Sequence, residues 1–214
     1  MGGLRKVTAA IGVRFGIALA CGMALAGPAQ AQVYSEGYQF LQAVEDALDG
    51  GDASEVTELL DAPGSTVVNA RDLSTGRTAM HMVVEKRNGV WLDYLYQQGA
   101  NVNLADNQGV TPLMRAVQLG YIEGVDKLVA HGARVDVTNN SGETPLMFAV
   151  HGRNAEMMRT LLTAGADPDR NDHSGRSARD YARLRGERDI TNDVITRHER
   201  PAAQRGGGTY GPSF

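Results

Sequence analysis

The side chains able to do chemistry are few and scattered. Histidine occurs at 81, 131, 151, 173 and 198, and cysteine only at 21. No two histidines stand three or four residues apart and HExxH is absent, so the clustered nitrogen or sulfur ligands that zinc needs are missing and no metal is expected. Neither GxxxxGK[ST] nor GxSxG occurs, which removes the P-loop and the nucleophile elbow as readings. The glycine run GGG at 206–208 is read as tail composition. As a general base, His81 would need a nucleophile or carboxylate at a recognisable spacing, and no pattern supplies one. No catalytic residue, cofactor or small-molecule substrate is therefore assigned. An enzyme with an unrecognised site is the remote alternative.

If the chemistry is sparse, the elements that would position it are not. The 214 residues are 42% hydrophobic, enough for a substantial core. A formal charge of −4, with no wide basic block, gives no footprint for nucleic acid. The N-terminus stands apart from the fold. Arg5, Lys6 and Arg14 precede the apolar run Phe15 to Ala26, which is too short to span a bilayer, and Ala29-Gln30-Ala31 follows Gly27-Pro28. That layout predicts a signal peptide over 1–31, cleaved between Ala31 and Gln32, and a periplasmic protein.

Two alternatives keep the N-terminal segment and so tether the protein to the envelope: an uncleaved anchor, or lipidation of Cys21. A membrane contact is expected only in those cases. The residues before Cys21, Ala18-Leu19-Ala20, put the leucine one place out of step with a lipobox. Cleavage would remove three basic residues and no acidic one, taking the net charge from −4 to −7. It would also remove the one cysteine, leaving stability to packing alone.

Glycines at 76, 109, 142 and 175 recur every 33 residues, a period that calls for a repeat reading before any other. Around them stand GRTAMH, GVTPLM, GETPLM and GRSARD, and downstream QQGANVN, AHGARVD and TAGADPD. Thr78, Thr111 and Thr144 are suitable helix N-caps, and Pro112 and Pro145 fall at the first helical position, where the absent N–H costs nothing. Ala116, Ala149 and Ala182 let neighbouring helices approach closely. Val125, Leu128 and Val129, matched by Met158, Leu161 and Leu162, trace one face of a second helix. Gly99, Gly132 and Gly165 then stand where a positive φ ends that helix, and segments such as Asp106 to Gly109 predict projecting hairpin turns.

The pattern resembles the ankyrin-repeat family. The resemblance implies an all-α solenoid of helix-turn-helix units with projecting hairpin loops. Five units are expected over about 36–69, 70–102, 103–135, 136–168 and 169–198, within a domain of 32–198 and followed by a tail, 199–214. The first unit is a divergent cap, with Val44 to Leu48 standing in for Leu113 to Val117. The last unit turns polar at Arg179-Asp180, as an end unit with one wetted face must. His81 occupies the family histidine position, which implies hydrogen bonds to neighbouring backbone. Trp91 aligns with Gly124, and the expectation is that the absent side chain at 124 makes room for the indole.

The resemblance also implies a non-enzymatic module that binds a protein partner through a concave face of turn tips and first helices, since loops held on a rigid scaffold carry recognition. On the tips the candidates are Leu73, Ser74, Thr75 and Arg77; Asn107, Gln108 and Val110; Asn140, Ser141 and Glu143; and His173, Ser174 and Arg176. On the first helices they are Glu85, Lys86, Arg115, Gln118, Leu119, Phe148 and His151, with Met82 beside them. The face as a whole is assigned, because a few residues carry most of the energy in an interface.

Overall fold

The computed structural model describes residues 28–186 and 189–198. The apolar run at 15–26, Cys21 and the tail 199–214 lie outside the described residues. Among the described residues ten α-helices follow in pairs: α1 (Pro28–Leu48) with α2 (Ser54–Asp61), α3 (Ala79–Glu85) with α4 (Gly89–Gln97), α5 (Pro112–Gln118) with α6 (Ile122–Ala130), α7 (Pro145–His151) with α8 (Ala155–Thr163), and α9 (Ala178–Leu184) with α10 (Ile190–His198). The first helices stack in one layer, α1 on α3 on α5 on α7 on α9, and α4, α6, α8 and α10 stack in a second. Among the described residues the sole β pairing is an isolated bridge between Asn171 and Ser177, and no helix is long and apolar enough to cross a membrane.

Local chemistry starts α5 and α7 where the sequence predicts. The Thr111 hydroxyl accepts from the Met114 N–H and that of Thr144 from the Met147 N–H, both at 3.3 Å. Pro112 and Pro145 follow as first helical residues. In the last unit Ser177 and Asp180 cap each other reciprocally: Ser177 Oγ accepts from the Asp180 N–H at 3.1 Å and Asp180 Oδ2 from the Ser177 N–H at 3.0 Å. These caps satisfy amides that the first turn would leave orphaned. The second helices α4 and α8 are capped by Asn88 and Asn154, each accepting at 3.1 Å. Gly99, Gly132 and Gly165 end their helices at φ of 88°, 83° and 103°, a conformation in which a Cβ is costly.

The core runs between the layers. Ala116, Ala149 and Ala182 are buried where the first helices meet, and Leu92, Leu95, Val125, Leu128, Met158, Leu161, Val194 and Ile195 fill the space beneath the second helices. Truncating any one of the central leucines to alanine would cost about 2–5 kcal/mol.

Two expectations change. The first helix is three times as long as its counterparts, 21 residues against 7, and runs through the Ala31–Gln32 junction. The ring nearest to a Cβ at 124 belongs to Tyr121 rather than Trp91: that Cβ would stand 2.2 Å from Tyr121 Cδ1. Tyr121 takes the N-cap position that Asn88 and Asn154 hold elsewhere, and its ring folds over the first turn of its own helix. Trp91 instead meets Tyr94 edge-on at 5.4 Å.

Candidate functional site

The turn tips are built alike and then locked together. At the start of each tip one carboxylate or amide oxygen gathers the following N–H groups. Asp106 Oδ1 accepts from Gln108 and Val110, Asn139 Oδ1 from Ser141 and Glu143, and Asp172 Oδ1 from Ser174 and Arg176, all at 2.8 to 3.0 Å. Asp72, in the tip with one extra residue, accepts from the N–H groups and hydroxyls of Ser74 and Thr75. Burial works against the charge on Asp72 and Asp172, yet these donated bonds outweigh it and hold both carboxyls below the ordinary range. At Asp172 the Tyr181 hydroxyl adds a bond of 2.5 Å.

Adjacent tips are joined through their backbones. The N–H groups of Asn107, Asn140 and His173 donate to the carbonyls of Thr75, Gln108 and Ser141 at 2.9, 3.0 and 3.1 Å. The amides of Asn107 and Asn140 add bonds to the Ser74 and Asn107 carbonyls, each 3.0 Å. Four tips thus form one hydrogen-bonded row. The glycines at 76, 109 and 142 have positive φ, and a Cβ on them would strike Asn107, Asn140 and His173.

Beneath the row, charges bridge repeats two and three. Glu85 pairs with Arg77 of its own repeat and lies 3.2 Å from Arg115 Nε in the next, while Arg115 also approaches Asp106 at 3.9 Å and donates to Gln118 at 3.2 Å. Lys86 pairs with Asp49. His81 is fully buried, and its Nε2 meets the Val110 carbonyl at 2.9 Å while Nδ1 accepts from the Thr78 N–H at 3.2 Å. Those two partners require the neutral tautomer with its proton on Nε2. Burial correspondingly holds the imidazole pKa below its usual value.

This geometry sorts the sequence candidates. Val110 does not belong to an exposed face, because its side chain is buried at 4% exposure. Asn107 and Asn140 spend their amides on the row, Ser74, Thr75 and Ser174 give their hydroxyls to their own turns, and Glu143 accepts from Asn139 at 2.9 Å. Arg77, Glu85, Lys86, Arg115 and Gln118 are tied into the bridges just described. Leu119 and Phe148 are half-buried, His173 lies against Gly142, and His151 meets the Tyr181 ring edge-on at 4.6 Å. Leu73, Gln108, Ser141 and Arg176 remain exposed, with side chains that have no hydrogen-bond or ion-pair partner among the described residues.

A family model for ankyrin repeats (3 copies) matches residues 41–139, and a second, for ankyrin repeats (many copies), matches residues 128–182. The chain belongs to the ankyrin-repeat family. An ankyrin repeat protein of fowlpox virus (strain NVSL) is 41% identical over 63 residues, which are 29% of this chain and 18% of that protein. The match therefore spans less than a fifth of the relative. Ankyrin repeats are generally protein–protein interaction modules, and ankyrin-repeat proteins are typically non-enzymatic scaffolds.

The ankyrin stack also contributes side chains that sequence reasoning passed over. Tyr38, Leu41, Gln42 and Glu45 of α1 stand across a cleft from the first tip and α3. Because α1 carries no TPLH-like motif, nothing in register pointed to them. Their spacing along one helical face was the available signal.

Proposed function

We propose that this ankyrin-repeat protein is a binding module of the bacterial periplasm, released from a cleaved signal peptide, that holds another exported protein on the face formed by its turn tips and first helices. It performs no chemistry of its own. The observation that carries the reading is the locked row of tips. Its hydrogen bonds are satisfied within the row, while Leu73, Gln108, Ser141 and Arg176 project from it without a hydrogen-bond or ion-pair partner among the described residues. Side chains held at fixed separations by a rigid scaffold bind with little further loss of conformational freedom, which is what an interaction surface needs. The export half of the reading rests on the basic, apolar and small-residue order of residues 1–31.

Capture of partners from periplasmic extract on the immobilised chain tests the surface. A specific partner is expected to be retained by the native sequence and released by Gln108→Arg or Arg176→Glu. Indifference of every retained protein to both changes would sink the assignment of this face. The mass of the chain isolated from cells tests the export half: a start at Gln32 supports it, and a chain retaining Met1 or carrying lipid on Cys21 overturns it in favour of an envelope tether.

A further inference from the structure

The N-terminal end of the binding face differs from the rest. In place of a turn tip, unit one supplies the long helix α1, and between it and the first tip runs a cleft with two lobes that share Tyr38, Leu41 and Asp72. One lobe, about 460 Å³, is mainly apolar, with Leu41, Val67 and Ala70 among its walls. Its rim carries Tyr38 and Leu73, 52% and 67% exposed. Large apolar side chains left in water beside a hollow mark an interaction site. The other lobe, about 310 Å³, continues along α1 past Gln42, Glu45 and Leu48 to Met82 of α3.

Charge at the second lobe is lopsided once its pairs are set aside. Arg77 is answered by Glu85 and Lys86 by Asp49, whereas the carboxylate of Glu45, exposed on the same rim, has no partner among the described residues. Glu45 lies seven residues beyond Tyr38 on one helix, a rise of about 10 Å. An extended peptide covers that distance in about three residues.

We propose that this cleft docks an extended peptide segment of the partner carrying a bulky apolar side chain and, three residues away, a lysine or arginine. The apolar group fills the lobe between Tyr38 and Leu73, and the cation meets Glu45. Burial of the first supplies most of the affinity, and the second fixes direction and register. The proposal rests on the reading of this face as a protein-binding surface and names the chemistry of its occupant.

Fluorescence anisotropy of labelled glycine-serine peptides on the full chain tests it, using one probe with phenylalanine and arginine three residues apart and two controls, phenylalanine replaced by alanine and arginine by glutamate. The first probe is expected to bind about tenfold more tightly than either control. Leu73→Ser should abolish the preference for phenylalanine over alanine, and Glu45→Lys should reverse the preference between arginine and glutamate. Both positions are exposed, so neither change threatens the fold, and circular dichroism of each variant verifies this. Equal binding of all three probes, or preferences unmoved by the two substitutions, overturns the proposal. Tighter binding after deletion of residues 199–214 also overturns it, by giving the cleft to the chain's own C-terminal segment. Partner capture that depends on Gln108 and Arg176 while no probe binds leaves the face intact and removes the cleft alone.

Discussion

His81 and Val110 join two repeats through one hydrogen bond, 2.9 Å from Nε2 to the carbonyl oxygen, buried from solvent. Met114 and Met147 stand at the corresponding places in the next two repeats, both fully buried. The methionine sulfur keeps part of the role: Met147 Sδ accepts from the Thr144 N–H at 3.4 Å, but a thioether has no proton to send to the following repeat.

His81→Met should therefore fold and lose about 1–2 kcal/mol at pH 7.5, the net worth of a buried hydrogen bond and its partner's desolvation. The difference should depend on pH. Burial depresses the folded-state pKa of His81 below the ordinary imidazole value of 6.5, so the unfolded chain takes up the proton first. The contribution is complete above pH 6.5 and fades as pH falls towards the folded-state value. Urea titrations across that range should show the two proteins converging on acidification. A gap that does not change with pH would contradict the neutral, buried imidazole.

A second column stitches the stack behind the tips. Asn69 and Asn103 each accept from a backbone N–H some thirty residues further on, those of Asn101 and Arg134, at 2.7 and 2.8 Å, and each donates back, to the carbonyls of Gly99 and Gly132. At the next place stands Asp136, which accepts from the Asp167 N–H at 2.8 Å but, when ionised, has no proton for Gly165. Burial and the charge of Asp167 raise its pKa, against the Asp167 N–H bond that lowers it.

Asp136→Asn should stabilise the protein at pH 7 by about 1 kcal/mol, by supplying the missing donor and removing a partly desolvated charge. The folded-state pKa lies above 3.8, so the native aspartate protonates before the unfolded one, and its penalty fades as pH falls towards 3.8. The advantage of asparagine should shrink correspondingly in denaturation at pH 4. A variant less stable than the native protein at pH 7 would refute this account of the column.

The tip row can be weighed by comparing two glycines of similar φ, 76° at Gly109 and 80° at Gly175. A Cβ at 175 meets nothing within 4 Å, whereas one at 109 would lie 2.7 Å from Asn140 Oδ1 and 2.9 Å from its backbone nitrogen. Gly175→Ala should cost about 1–2 kcal/mol for the left-handed backbone alone. Gly109→Ala should cost at least about twice that, because a backbone atom in a hydrogen-bonded row cannot step aside cheaply. Equal losses in thermal denaturation would mean that the row yields freely.

Tyr121 and Gly124 form a matched pair. Gly124→Ala should destabilise by about 2 kcal/mol as the ring is pushed from its 6% exposed site, and Tyr121→Ala in the same chain should make the second substitution nearly harmless. Additive losses would show that something other than the ring fills that space.

Much of the fold was legible because it is local. A threonine followed by proline starts a helix wherever it stands, and a glycine at the end of one stops it. The repeat hid one of its own rules, however. The turn between paired helices needs a positive φ at 87, 120, 153 and 186; glycine supplies it at 120 and 186, but Arg87 and Arg153 adopt it at 53°. Arg87 holds the Leu119 carbonyl and Arg153 reaches Asp189 at 3.0 Å. The periodic letter is missing from these two turns, where contacts to the next repeat stand in for it.

The 33-residue period, the caps and the alternation of core positions were determined by the sequence alone, since each depends on residues within one helical turn or one repeat of each other. Which unrepeated letters face solvent was not. Arg77, Val110, Glu143 and Arg176 share one register, yet Val110 is buried, Arg77 and Glu143 are engaged, and Arg176 projects. The cleft against α1 likewise joins residues some thirty positions apart. Exposure at any one place depends on what the adjacent repeat puts beside it, and only the stacking of repeats brings those side chains together.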